Sequence, residues 1–135
     1  MRYLLDTNVC SQIQRNHPAV VARLASLPRA ATFFASVITQ GEMLFGAHHA
    51  PRPRRARLAA EVRGLMRDMA DVLPITPAVA EHYGRLKAEL AAQGTPIPDN
   101  DIWAAAIALQ AGLIMVSDDA HFDDVPGLAV ENWLL

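Results

Sequence analysis

Apolar residues recur along this chain with two rhythms, and each rhythm predicts an element. Tyr3 to Leu5 is a short apolar run that stops at Asp6, where Asp-Thr-Asn offers a turn or a helix cap, so a strand followed by a helix is expected. Val20, Val21, Leu24 and Leu27 have helical spacing, and Pro28 closes that segment. Ala31 to Ile38, rich in aromatic and β-branched residues, predicts the second strand, and Thr39 to Ala47 a helix that the Pro51 to Pro53 stretch breaks. Leu58, Val62, Leu65, Met66 and Met69 mark one face of a long amphipathic helix from Arg54. Asp71 to Ile75 fits a short edge strand, where Pro74 is tolerable.

Pro77 opens a further helix that buries Val79, Tyr83, Leu86 and Leu90 and ends at Gly94. The segment from 101 to 111 is apolar nearly all round, which predicts a central helix. Leu113 to Val116 is a continuous apolar run of the kind a buried parallel strand shows. A loop to Phe122 follows, and Leu128 to Trp133 predicts a last strand. Helices alternate with short strands throughout, so the expected fold is an α/β sandwich with a mostly parallel sheet and ligands beyond the carboxyl ends of its strands.

The 135 residues suit one domain spanning 1–135, with just over half of them apolar. No apolar run reaches the length of a membrane span, and the N-terminus lacks the pattern of a signal peptide; a cytoplasmic protein with no membrane role is expected. The single Cys10 permits no internal disulfide and no thiolate zinc site, and packing is its expected role. A net charge of −2 argues against a protein that coats nucleic acid by charge alone. It leaves room for a nuclease with its acids in one pocket. His48, His49, Arg52, Arg54, Arg55 and Arg57 form a basic run that either tracks phosphates or is a solvated helix start.

The acids carry the chemistry. Asp6 follows the first strand, Glu42 lies one turn into the helix after the second, Asp99 and Asp101 stand where the central helix begins, and Asp118 with Asp119 follow the buried late strand. Each alone has an ordinary explanation: Thr39-Gln40-Gly41-Glu42 matches a capping box, Asp6, Asn8 and Asp99 suit helix caps, and Ser117 to Asp119 suits a turn. Together they change the balance, because the fold sends several to one rim of the sheet, where carboxylates repel unless a positive charge joins them. An all-oxygen set without paired cysteines or suitably spaced histidines favours magnesium or manganese over zinc. His48 and His49 are helix neighbours that point about a hundred degrees apart. Such an ion suits hydrolysis of phosphodiesters. Phosphate-binding glycine loops, a Gly-x-Ser-x-Gly elbow and a cysteine with a base are all missing.

LLDTN at Leu4 to Asn8, SVITQGEMLFGA at Ser36 to Ala47, IPDNDIWAAAIA at Ile97 to Ala108 and VSDDAHFDDVPGLAVENW at Val116 to Trp133 resemble, in order, the PIN-domain family, and within it the VapC-type toxins of toxin–antitoxin pairs. The resemblance implies a PIN-like three-layer sandwich and a Mg2+-dependent endoribonuclease, Mn2+ being possible. It also implies a homodimer inhibited by a VapB-type antitoxin. By position, Asp6, Glu42 and Asp101 match the family's first three acids. The fourth falls in Ser117-Asp118-Asp119, with Asp119 as the match, Ser117 as an orienting hydroxyl in place of the usual threonine, and Asp118 as a substitute. Asp6, Glu42, Asp101 and Asp119 are therefore the expected catalytic and metal-ligating residues. Thr7, Asn8 and Thr39 are expected to hold the carboxylates in place, with Asp99 as a cap or supporting acid.

Two other readings compete. A catalytically silent PIN-like module for RNA binding or scaffolding would keep the fold, but without turnover nothing would retain the full set of acids. A receiver-type phospho-acceptor domain needs an acceptor aspartate after a middle strand and a late lysine, whereas Lys87 lies in a helix.

Overall fold

The computed structural model describes residues 1–135. The chain runs β1 (Arg2–Leu5), α1 (Thr7–Gln14), α2 (Pro18–Ser26), β2 (Thr32–Ser36), α3 (Val37–His49), α4 (Arg52–Asp68), β3 (Asp71–Leu73), α5 (Pro77–Gln93), α6 (Asp99–Ala111), β4 (Ile114–Val116), a 3-10 turn (Ala120–Asp124) and β5 (Val130–Glu131). The five strands form one sheet in the order β3-β2-β1-β4-β5, and every pairing is parallel. A flavodoxin-like receiver sheet has the order 2-1-3-4-5, so the strand order removes the receiver reading.

Strand alternation sorts the core into two halves. Leu4 and its register partner Met115 face one side of the sheet, where they meet Leu86 and Leu90 of α5 and Ile102 to Ala108 of α6. Tyr3, Leu5 and Val116 face the other side, against Val9, Cys10, Val20, Met43, Val62 and Met66 from α1 to α4. The result is a three-layer α/β/α sandwich. Helix α6 is buried nearly all round because its small residues, Ala104, Ala105, Ala106 and Ala108, let it lie close against both the sheet and α5.

Several element limits differ from expectation. Strand β2 ends at Ser36 rather than Ile38, because the Ser36 side chain accepts a hydrogen bond from the Thr39 amide at 3.2 Å and starts α3 two residues early. The capping box expected at Thr39 to Glu42 therefore does not form, both residues lying inside the helix. The last strand shrinks to Val130–Glu131, since its neighbour β4 offers only three residues to pair with and Trp133 turns in to meet Tyr3 and Phe33. Pro77 at the start of α5 and Gly94 in the left-handed region at its end bound that helix as expected. No helix is long and apolar enough to cross a membrane.

Candidate metal centre

The carboxyl ends of β1, β2 and β4 share one rim, and the chain leaves each strand through a polar residue. Asp6 follows β1 directly, and its amide donates to the Val116 carbonyl at 3.0 Å, which fixes its backbone to β4. It occupies the N-cap position of α1, yet its side chain makes no capping bond. Instead the carboxylate accepts the Ser117 hydroxyl at 2.8 Å. Ser117 is 2% exposed, and its oxygen also accepts the Asp119 amide at 3.0 Å. One buried hydroxyl thus sets the spacing between the acid after β1 and the acid after β4.

Glu42 comes from the second turn of α3. The Thr7 hydroxyl donates to its Oε1 at 2.7 Å, and Thr7 lies 3.0 Å from the Thr39 hydroxyl, so a pair of threonines anchors one carboxylate oxygen and leaves the other free. Asn8 donates to Asp118 at 3.1 Å, which ties the late loop to α1 and engages Asp118 away from the acids described next.

Asp101 sits in the first turn of α6, where the helix dipole favours negative charge. Its Oδ2 lies 2.9 Å from Nδ1 of His121, and the same nitrogen lies 3.1 Å from Oδ1 of Asp119. Oxygens of Asp101 and Asp119 and the His121 nitrogen all fall within 4.8 Å of one another. Asp119 also begins the 3-10 turn by accepting the His121 amide at 2.9 Å. Asp99, two residues before Asp101, points elsewhere. It meets Lys87 and Tyr83, each at 2.9 Å, so it is neither a helix cap nor part of this cluster.

Burial first, and repulsion between neighbouring acids second, disfavour the ionised carboxylates of Asp6 and Asp101. Burial pushes the Asp6 carboxyl up to about 6; the Ser117 hydrogen bond pulls it down, and the nearby charges of Asp101 and Glu42 raise it again. Asp101 is raised by burial first, with its His121 hydrogen bond opposing and Asp119 and Glu42 adding repulsion. His121 is raised mainly by its hydrogen bond to Asp101. Carboxylates pushed up by burial, and further by one another, fit a hard divalent cation, which would restore their charged forms, and the mostly oxygen donor set suits Mg2+ or Mn2+. Cys10 has no part in this chemistry: it is buried, its thiol faces the Leu5 carbonyl at 3.7 Å, and burial pushes it up to about 12.

The structure thus brings Asp101 and Asp119 together, with Glu42 close enough to perturb Asp101, and Asp101 and Glu42 close enough to perturb Asp6. His121 was not singled out by sequence reasoning. Its one visible signal, a position two residues after Asp119, means little until α6 places Asp101 opposite.

The model of the PIN domain matches residues 3–128. The chain belongs to the PIN-domain family. Within that family the similarity is to VapC-type ribonucleases of toxin–antitoxin systems, and it extends over whole chains. The tRNA(fMet)-specific endonuclease VapC of Shigella flexneri is 35% identical over 134 residues, covering 98% of each chain. Ribonuclease VapC2 of Haemophilus influenzae is 34% identical over 136 residues, covering 99% of each. Among solved structures, DNA-bound VapBC from Salmonella typhimurium superposes with a TM-score of 0.86 at 30% identity, over 98% of both chains. This PIN domain is therefore a VapC-type ribonuclease by family, and the silent-module reading gives way to an enzyme whose acidic cluster is present.

Proposed function

We propose that this protein is a Mg2+-dependent endoribonuclease toxin in which Asp6, Glu42, Asp101 and Asp119 hold the metal on which the reacting phosphodiester is bound. The observation that carries this is the convergence of acids from β1, α3, α6 and the loop after β4 on one rim, with Asp6 pushed up to about 6. When bound, the divalent cation supplies Lewis acidity that makes water a better nucleophile and offsets charge on the phosphate.

The chain's own residues supply positioning. Ser117 holds Asp6 and the Asp119 backbone in one register, and Thr7 fixes one oxygen of Glu42, leaving the other free to take a proton from the attacking water. A shallow groove of about 650 Å³ runs past Glu42 between Val37, Ile38, Gly41, Phe45 and Asn100. It suits a single-stranded segment of RNA, whose unstacked base would lie on the exposed Phe45 ring.

The relative from Salmonella typhimurium is a VapBC protein bound to DNA. By analogy, a VapB-type antitoxin would restrain this chain by laying a segment across the rim, with an arginine neutralising the carboxylates. A homodimer is part of the same proposal.

The test is cleavage of end-labelled total RNA by the purified, antitoxin-free chain, with magnesium or with EDTA, beside Asp101→Asn. Discrete fragments are expected only with the metal and only from the parent. Cleavage at the parental rate by a folded Asp101→Asn variant would overturn the reading.

A further inference from the structure

We propose that His121 is a ligand of the metal through Nδ1, giving the rim a mixed oxygen and nitrogen donor set that takes Mn2+ in preference to Mg2+. This rests on the metal reading above and goes beyond the four acids.

The first argument is geometric. Donor atoms in adjacent positions around an octahedral ion, each about 2.1 Å from it, lie about 3 Å apart. Nδ1 of His121 lies 2.9 Å from Oδ2 of Asp101 and 3.1 Å from Oδ1 of Asp119. Those match two edges of an octahedron that share the His121 nitrogen, and the Asp101 and Asp119 oxygens lie within 4.8 Å of each other. The second argument concerns protons. Nδ1 carries at most one hydrogen, which cannot point well at two carboxylates at once, so an ion pair leaves one of these contacts poorly served. A cation among the three groups serves all of them, with the imidazole proton on Nε2.

The third argument is preorganisation. The His121 amide is held by Asp119, and the next residue, Phe122, is fully buried beneath the turn, so the ring projects from a fixed backbone. An exposed ion pair at this place would contribute little to stability, so stability gives no reason to hold it so firmly. Imidazole nitrogen favours transition metals over magnesium, whereas carboxylates alone discriminate weakly between Mg2+ and Mn2+.

The test uses the full chain, freed of bound metal, as parent, His121→Ala, His121→Gln and Asp101→Asn, each checked for folding by circular dichroism. Mn2+ and Mg2+ affinities are measured by calorimetry, and bound Mn2+ is examined by electron spin-echo spectroscopy for nitrogen modulation. Expected are a nitrogen signal in the parent that both His121 variants lose, and a Mn2+-to-Mg2+ affinity ratio that falls about tenfold in them. Binding that depends on Asp101 but shows no nitrogen signal in the parent would overturn the role of His121 and leave the metal reading standing. Binding of neither ion, or equal binding by Asp101→Asn, would overturn the metal reading and this proposal with it.

Discussion

Ser117 is the residue on which the geometry of the rim turns, because its single oxygen donates to Asp6 and accepts from the Asp119 amide while almost wholly buried. Ser117→Ala should lower cleavage at least about tenfold and destabilise the fold by ~1–2 kcal/mol, since both partners are left short of a hydrogen bond. Ser117→Thr, which keeps the hydroxyl, should restore most of the rate. Initial rates beside urea melts check this, and an unchanged Ser117→Ala rate would remove the serine from the site. Asp99 offers the contrast. Paired with Lys87 on the outer surface, it should tolerate Asn with less than about a twofold change in cleavage, although it lies only two residues from Asp101.

The pH response of the metal-free protein also belongs to single residues. Asp6 titrates near 6 in the fold against about 3.9 when unfolded, so the folded chain binds the proton more tightly and its stability falls as pH rises from about 4 through 6. Asp101 is shifted in the same direction. His121, raised by its partner, contributes stability that is present below its unfolded value and is lost as pH rises through its folded one. All three effects share a sign. Without metal, the melting temperature should rise by roughly 5 °C between pH 7.5 and 5.5. Asp6→Asn should remove most of that rise, and saturating divalent cation should flatten it.

At the scale of elements, the sequence was most legible where a residue has a conformational reason to stop a helix. Pro77 and Gly94 bound α5 by excluding alternatives, and the apolar runs at Tyr3 to Leu5 and Leu113 to Val116 could only be buried strands. Legibility failed where a local signal had two uses. Val37 and Ile38 are β-branched and extend the strand pattern of β2, yet the Ser36 cap turns them into the first turn of α3. Asp99 looked like a cap by position and was claimed by Lys87 from α5, twelve residues away. His121 was invisible for the same reason. Its partner Asp101 comes from another element, and no local pattern registers an encounter made by packing α6 under the sheet.

That packing is itself testable. Leu86 of α5 is fully buried in the half of the core that holds α6, so Leu86→Ala should cost ~2–5 kcal/mol in chemical denaturation. Because α6 carries Asp101, the surviving folded fraction should also show reduced metal affinity. A loss of stability with normal metal binding would mean that α6 keeps its place without α5.

Across the whole molecule, the order β3-β2-β1-β4-β5 puts the earliest strand in the middle, with β2 on one side and β4 on the other. The first acid therefore waits at the centre of a sheet whose later half is supplied by the end of the chain. Trp133 seals that half: it stacks edge-on against Tyr3 and Phe33, and its indole donates to the Glu131 side chain at 3.0 Å. Trp133→Ala should cost ~3–5 kcal/mol, measured by urea unfolding, and should depress cleavage as well, because the Glu131 carbonyl accepts the Ser117 amide at 3.0 Å.

The two-residue strand β5 has a consequence in time. Ser117 is tied to Glu131, so the register that unites Asp6 with Asp119 closes only after β5 has been made. At roughly 5–20 residues per second, a nascent chain spends several seconds with its first acid made and its last ones missing. In this order of synthesis the rim stays open until β5 pairs with β4, and its acids are drawn into register last.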